Sequence, residues 1–251
     1  MDSPSDGVEP SAKVFGQFTT THWSVVLAAR GHDTPESAAA LEQLCRTYWY
    51  PLYAYVRRTG CNPEDAEDLV QGFFLYLLDG QVLRSLEREG GRFRSFMLGT
   101  FKNFISDQKD KAFAQKRGGG RQLVSWEMAE AEHLFTREPA DEESADRLFE
   151  RRWVLALLER AMERLRQEWA LGGKAELFAQ LKGFVSGEKG LASYAEAAAQ
   201  ANLSLSALKS AVFRLRHRYY ELVREEVGHT LADPRELKEE LRYLLGLFIS
   251  G

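Results

Sequence analysis

The chain has 251 residues, of which 44% are hydrophobic, a composition typical of a globular protein with one large domain or two small ones. It has no run of about 18 apolar residues, so no membrane span is predicted. The first residues, MDSPSDGVEP, are acidic and unlike a signal peptide. Cys45 and Cys61 are the only cysteines and follow no metal-ligand pattern, so a reduced, cytoplasmic protein is expected.

The net charge of -4 hides a separation of charge along the chain. Residues 92–121 carry eight cations and two acids, and residues 122–150 carry nine acids and two cations. Residues 209–224 carry five cations and one acid. Two basic segments with an acidic one between them favour a polyanionic partner, although such runs also occur on ordinary solvated faces.

Helical patterns cover most of the chain, and no strand pattern is found. Residues 34–36 provide the cap, proline and first-turn acid that open a helix, and Pro51 predicts a kink or break within it. Residues 62–64 open a second helix in the same way. A third helix is predicted over about residues 92–114, with most of its phenylalanines in the core.

The second half of the chain begins with residues 121–144, which are acidic and weakly periodic and therefore predict a linker. A long amphipathic helix follows and ends at Gly172, and a shorter helix covers about residues 175–185. A cap, a proline and an acid at residues 233–236 predict one more helix. Its apolar residues are Leu237, Leu241, Leu244, Leu245 and Phe248.

Residues 193–227 contain a helix-turn-helix pattern. Ser193 and Glu196 form a capping box before a short alanine-rich helix, Asn202 suits a left-handed turn, and Ser204 caps a longer basic helix. Such a second helix would enter the DNA major groove, whereas an ordinary helical hairpin with a solvated basic face is the alternative. The candidate DNA-contacting residues are Ser206, Lys209, Ser210, Phe213, Arg214, His217 and Arg218.

Four carboxylates crowd the start of the second helix, in NPEDAEDLVQGFFLYLL. The helix dipole favours anions in the first turn, but capping alone accounts for one or two carboxylates rather than four. Exposed acids would give salt-sensitive docking to a basic partner. The candidate residues for this docking are Glu64, Asp65, Glu67, Asp68 and Gln71.

These stretches resemble the sigma-70 family of bacterial RNA polymerase sigma factors, of the extracytoplasmic-function (ECF) type, in a divergent branch. NPEDAEDLVQGFFLYLL resembles region 2.2, and LSLSALKSAVFRLR resembles region 4.2. Asn202 stands where glycine is common in the family, and Ala207 where threonine is common. RFRSFMLGTFKNFISDQKDKAFAQKRGGG resembles regions 2.3 and 2.4 more loosely, and the resemblance covers about residues 37–227.

The resemblance implies an all-α protein with a region 2-like domain over residues 1–120, an acidic linker over 121–144, a region 4-like helix-turn-helix domain over 145–227 and a C-terminal helical extension over 228–251. In such a factor, region 2.2 docks on the beta-prime clamp helices of core RNA polymerase, and the beta flap is a second contact. Both domains bind promoter DNA. The minus-10 contacts that the resemblance implies are Lys102, Asn103, Lys109, Lys111, Lys116 and Arg117.

The implied function is that of a sigma factor that binds core RNA polymerase and directs promoter recognition and transcription initiation. No catalytic residue, metal or cofactor is expected, and an anti-sigma factor is an optional further partner. Two alternatives stay open: a stand-alone helix-turn-helix transcription regulator that does not dock on polymerase, and a helical interaction protein that no longer drives transcription. We expect the C-terminal helix to cover part of either domain and to restrain DNA or polymerase binding.

Overall fold

A computed structural model describes residues 35–78, 91–112, 128–138, 143–187 and 192–249. Within these residues the chain is helical apart from turns, short connections and one isolated bridge between Arg92 and Leu231, and it contains no β-strand. The all-α prediction is therefore confirmed for this part of the chain. No helix in it combines the length and the apolar character needed to cross a membrane.

The described part of the chain forms nine α-helices and one short 3-10 helix, Pro234–Glu236, which leads directly into the last α-helix. In chain order the α-helices are α1 (Pro35–Arg58), α2 (Pro63–Leu78), α3 (Phe93–Ala112), α4 (Met128–Phe135), α5 (Ala145–Leu171), α6 (Ala175–Ser186), α7 (Tyr194–Gln200), α8 (Leu205–Gly228) and α9 (Leu237–Ile249).

Helix α1 begins at the predicted proline but runs without a break through Pro51. A proline inside a helix removes one backbone hydrogen bond and crowds the preceding turn. Here the residues on both sides of it, including Tyr48, Leu52 and Tyr53, are fully buried in the core. Packing on both sides therefore holds the helix together, and the predicted break does not occur.

Two clusters of buried side chains form the interior. The first cluster is built by α1, α2, α3, α4, the first half of α5, the end of α8 and α9, and the second by the second half of α5 with α6, α7 and α8. Helix α5 contributes Trp153 and Leu157 to the first cluster and Ala161 and Leu165 to the second. One continuous helix thus takes part in both interiors.

Ion pairs fasten α8 to α5 next to the boundary between the two clusters. The buried carboxylate of Glu226 lies 2.6 Å from Arg164 Nη1 and 3.0 Å from Arg160 Nε. Farther along the same helix contact, Nη2 of Arg218 on α8 lies 2.8 Å from Oε1 of Glu168 on α5. A buried carboxylate needs paired charges to offset its lost hydration, so Arg160 and Arg164 keep Glu226 in place.

Part of the predicted acidic linker is a packed helix. Within α4, Ala131 is fully buried, and both carboxylate oxygens of Glu132 accept hydrogen bonds from Arg57 at 2.6 and 3.0 Å. Just after α4, Glu138 pairs with Arg152 of α5. The weak apolar periodicity predicted a linker, but Glu132 and Glu138 of this segment have arginine partners on the surrounding helices.

Helix α9 packs on the first cluster through Leu244 and Leu247, as does Val227 from the end of α8. Leu245 is 64% exposed and Phe248 is also exposed. The face of α9 that packs on the core therefore does not include all of the apolar residues of the helix. The reason is electrostatic, because a fully buried acid, Glu240, occupies the inward position one turn before Leu244 and pairs with arginines of the α3 region.

Candidate nucleic-acid interface and acidic patch

The acidic patch consists of the four carboxylates at the start of α2: Glu64, Asp65, Glu67 and Asp68. Asn62 caps this helix, because its Oδ1 accepts a hydrogen bond from the backbone N–H of Asp65 at 2.9 Å. The Asn62 amide also donates to Asp65 Oδ2 at 2.7 Å. The cap accounts for the start of the helix but uses only one of the four carboxylates.

The acidic patch faces solvent, and no cation among the described residues pairs with it. Glu64, Asp65 and Asp68 are exposed, and Gln71 donates a hydrogen bond to Glu67 at 2.9 Å. Among the described residues, no lysine or arginine forms an ion pair with the patch. Such a cluster attracts a basic partner over distances near a Debye length. The buried residues behind it are Ala66, Val70 and Phe73.

The predicted helix-turn-helix forms with the expected caps. The Ser193 hydroxyl accepts from the Glu196 N–H at 3.2 Å, and the Glu196 carboxylate accepts from the Ser193 N–H at 2.8 Å. Asn202 adopts the left-handed conformation, with φ of 53°, in the turn between α7 and α8. The Ser204 hydroxyl then accepts from the N–H of Ala207 at 3.2 Å and starts α8.

Small residues let α7 lie close to α8. Ala197 and Ala198 are buried against the second cluster, as are Leu208, Val212 and Leu215 on the inner face of α8. The opposite face of α8, which we call the reading face, is exposed. Its members are Ser206, Lys209, Ser210, Phe213, Arg214 and His217. Burial of one face therefore leaves six of the seven predicted DNA-contacting residues of α8 exposed, and Arg218 is the exception.

Phe213 stands out on the reading face because its side chain is large, apolar and 69% exposed. Its ring lies 6.3 Å from that of His217, and His217 Nδ1 lies 3.3 Å from Glu221. An exposed aromatic ring between polar side chains is suited to contact a thymine methyl group or a stacked base.

Arg218, by contrast, belongs to the contact between α5 and α8. It donates to Glu168 at 2.8 and 2.9 Å, and it also bonds Glu221 and Glu225. The hydrogen bond to Glu168 is the main cause that raises the pKa of Arg218 above its usual value. DNA binding by Arg218 would have to compete with three carboxylates, so its contribution depends on the release of at least one of them.

The candidate minus-10 residues on α3 are described only in part. Asn103 is exposed, and Lys102 forms an ion pair with Asp146 of α5 at 2.6 Å while its ammonium lies 5.6 Å from the centre of the Tyr55 ring. Lys109 and Lys111 lie within α3, but their side chains are not among those described. Lys116 and Arg117 lie outside the described residues. Phe93, Phe101 and Phe104 are buried, as predicted for core residues.

A cluster of charges that the sequence did not single out lies where α9 meets the start of α3. Glu240 pairs with Arg94 and lies 2.7 Å from Arg92 Nε, while Arg94 Nε lies 3.3 Å from Glu150 of α5. Burial lowers the pKa of Arg94, and Glu150 acts against that effect. Tyr243 completes the cluster by donating a hydrogen bond to Glu150, which raises the pKa of the phenol.

The described residues contain no group of three or more histidine, cysteine or acidic side chains that could hold a metal ion. Comparison of the chain with known protein families, with characterised proteins and with solved structures gives no match.

Proposed function

We propose that the protein is a sigma factor that binds core RNA polymerase through the acidic patch of α2 and directs promoter recognition and transcription initiation through α3 and the reading face of α8. It acts in the cytoplasm, without catalysing a reaction and without a cofactor. The beta-prime clamp helices are the proposed contact of the patch, the beta flap is a second contact, and an anti-sigma factor is an optional regulator.

The observation that carries the proposal is the presence, on one chain, of two exposed surfaces of opposite chemistry. The acidic patch has no cationic partner within the described residues, although acids elsewhere, such as Glu132 and Glu226, are paired with arginines. A protein that only reads DNA has no use for an exposed acidic patch. A factor that joins a basic polymerase surface to DNA needs both surfaces.

The reading face supports the DNA-binding half of the proposal. Lys209 and Arg214 supply charge for phosphate contacts, and Ser206, Ser210 and Phe213 supply short polar and apolar groups for base edges. They share the exposed side of a helix whose start is fixed by a cap and a tight turn. This preorganisation is what major-groove binding by a helix-turn-helix requires.

The test is binding of the purified chain to core RNA polymerase over a salt series, beside the double variant Asp65→Lys, Asp68→Lys. A control double variant, Glu130→Lys with Glu176→Lys, makes the same change of charge in the first turns of α4 and α6, where both acids are exposed. We expect the wild type and the control to bind in a salt-sensitive manner and the patch variant to lose binding.

Three results would contradict the proposal. Equal loss of binding in the patch variant and the control would mean that net charge matters and the patch does not. A wild-type protein that binds DNA but not polymerase would leave the stand-alone regulator as the better explanation. Polymerase binding without promoter opening would instead favour the interaction protein.

A further inference from the structure

The cations at the start of α3 are occupied by acids from other helices. Arg92 and Arg94 both pair with Glu240 of α9, and Lys102 pairs with Asp146 of α5. These are the three cations of residues 91–108, the part of this region whose side chains the structure describes. Within residues 91–108, every cation of the segment proposed to bind DNA is therefore paired with an acid in this state.

The segment after α8 is also attached to α3 through its backbone. The N–H of Phe93 donates to the carbonyl of Thr230 at 3.0 Å, next to the bridge between Arg92 and Leu231. The ring centre of Tyr243 lies 5.3 Å from the guanidinium carbon of each of the two arginines. Residues 230–249, which we call the C-terminal cover, thus close over the first turn of α3.

The cover is held by both apolar and charge contacts. Leu231, Leu244 and Leu247 are buried, and Leu237 and Leu241 are partly buried against the first cluster, whereas Leu245 is exposed and Ile249 is 79% exposed. The charge contacts of the cover itself join the buried Glu240 to Arg92 and Arg94. The pair of Asp146 on α5 with Lys102, whose side chains are 56% and 40% exposed, lies beside the cover in the cleft that Tyr243 also lines. The charge contacts can be opened by a competing polyanion, because phosphates can replace the carboxylates.

We propose that the C-terminal cover, together with Asp146 and Glu150 of α5, is an autoinhibitory element that masks Arg92, Arg94 and Lys102 of the basic segment 92–121 and is displaced when DNA binds. This proposal rests on the proposed function, since it assigns regulation to the α3 surface. The acidic patch of α2 and the reading face of α8 stay exposed in the covered state. Polymerase docking and covering are therefore separable.

The test measures the affinity of the full-length chain for a fluorescent 20-nucleotide single-stranded DNA of mixed sequence over a salt series. Three variants weaken the masking contacts: Asp146→Asn removes the partner of Lys102, Tyr243→Phe removes the hydroxyl that bonds Glu150 but keeps the ring, and Glu240→Gln removes the buried carboxylate of the cover. The matched control is Glu239→Gln, because Glu239 lies next to Glu240 on α9, is exposed and forms no ion pair in the described structure.

We expect Asp146→Asn to bind this DNA about twofold to fivefold more tightly than the wild type at low salt, the range expected for an exposed ion pair. For each cation released, the slope of log affinity against log salt should steepen by roughly 0.7. Glu240→Gln should show the largest effect, together with faster hydrogen exchange of the α9 amides. The control should match the wild type in both measurements.

The proposal is overturned if Asp146→Asn and Tyr243→Phe, which change exposed side chains, leave DNA affinity and its salt slope unchanged. It is also overturned if α9 exchanges faster in Glu240→Gln while DNA binding stays at the wild-type level. Failure of the proposed function has a different signature, because it would appear as absence of polymerase binding by the wild type. Polymerase binding that requires the acidic patch, combined with unchanged DNA affinity in the cover variants, would reject the cover alone.

Discussion

A proline at residue 159 should uncouple the two buried clusters. Glu159 is exposed in the middle of α5, between Leu157 of the first cluster and Ala161 of the second. The substitution removes no buried side chain, so its effect comes from the backbone. It deletes the hydrogen bond from residue 159 to the carbonyl of residue 155 and crowds the preceding turn.

The expected cost is about 3 kcal/mol, the usual penalty for proline inside a helix. Domains are typically stable by only about 5–15 kcal/mol, so this is a large share. The kink would also move the two halves of α5 relative to each other. The first half places Trp153 in the first cluster, and the second half places Leu165 in the second cluster. The clusters should then unfold separately, because α5, which contributes more buried side chains to the first cluster than α8 does, no longer transmits the stability of one cluster to the other.

Urea and thermal unfolding would be followed by circular dichroism and by tryptophan fluorescence. In Glu159→Pro, the first urea midpoint should fall by about 1 M or more, and the two signals should no longer coincide. Glu159→Ala is the control, because alanine keeps the helix and removes the same carboxylate. A proline variant that unfolds in one step within about 0.5 kcal/mol of the control would refute the role of α5 as a coupling element.

Three other substitutions have outcomes that follow from single contacts. Arg57 holds the pKa of Glu132 below its usual value, so the pair stabilises the fold at neutral pH, and this stabilisation is lost as the pH falls through the lowered pKa. Glu132→Gln should therefore lower the free energy of unfolding by about 1–3 kcal/mol at pH 7. In urea titrations, the stability of the variant should depend less on acid pH than that of the wild type. Ser193→Ala should lower stability in thermal unfolding by about 1 kcal/mol, since the Glu196 N–H loses its acceptor. Phe213→Ala should leave thermal unfolding within about 0.5 kcal/mol of the wild type, because the ring is exposed, but should weaken DNA binding.

The helix ends could be predicted because their causes act within a few residues. The capping box of Ser193 and Glu196, the turn at Asn202 and the cap at Asn62 are all present as the sequence indicated. The exposed position of Phe213 was predictable too, since its spacing places it opposite Leu208 and Leu215 on α8. Local chemistry was sufficient in each case.

The contacts that fix charged side chains could not be predicted in the same way. Glu132 lies 75 residues from Arg57, and Glu240 lies 146 residues from Arg94, so no local pattern connects the partners. An acid in a weakly periodic segment usually faces solvent, and only the tertiary structure shows which acids are buried. The continuous helix through Pro51 has the same explanation, because packing from distant helices overrides a local signal.

Synthesis on the ribosome delays the pairing of Arg94 with Glu240, because the two residues lie far apart in the sequence. With 146 residues between the two, the ribosome needs roughly 7–30 s to reach Glu240 after it has added Arg94. During that interval the nascent chain carries an arginine without its final partner, and the first interior lacks the leucines of α9. Closure of this interior therefore waits until α9 has left the exit tunnel, and until then chaperones have access to the side of the molecule that α9 later occupies.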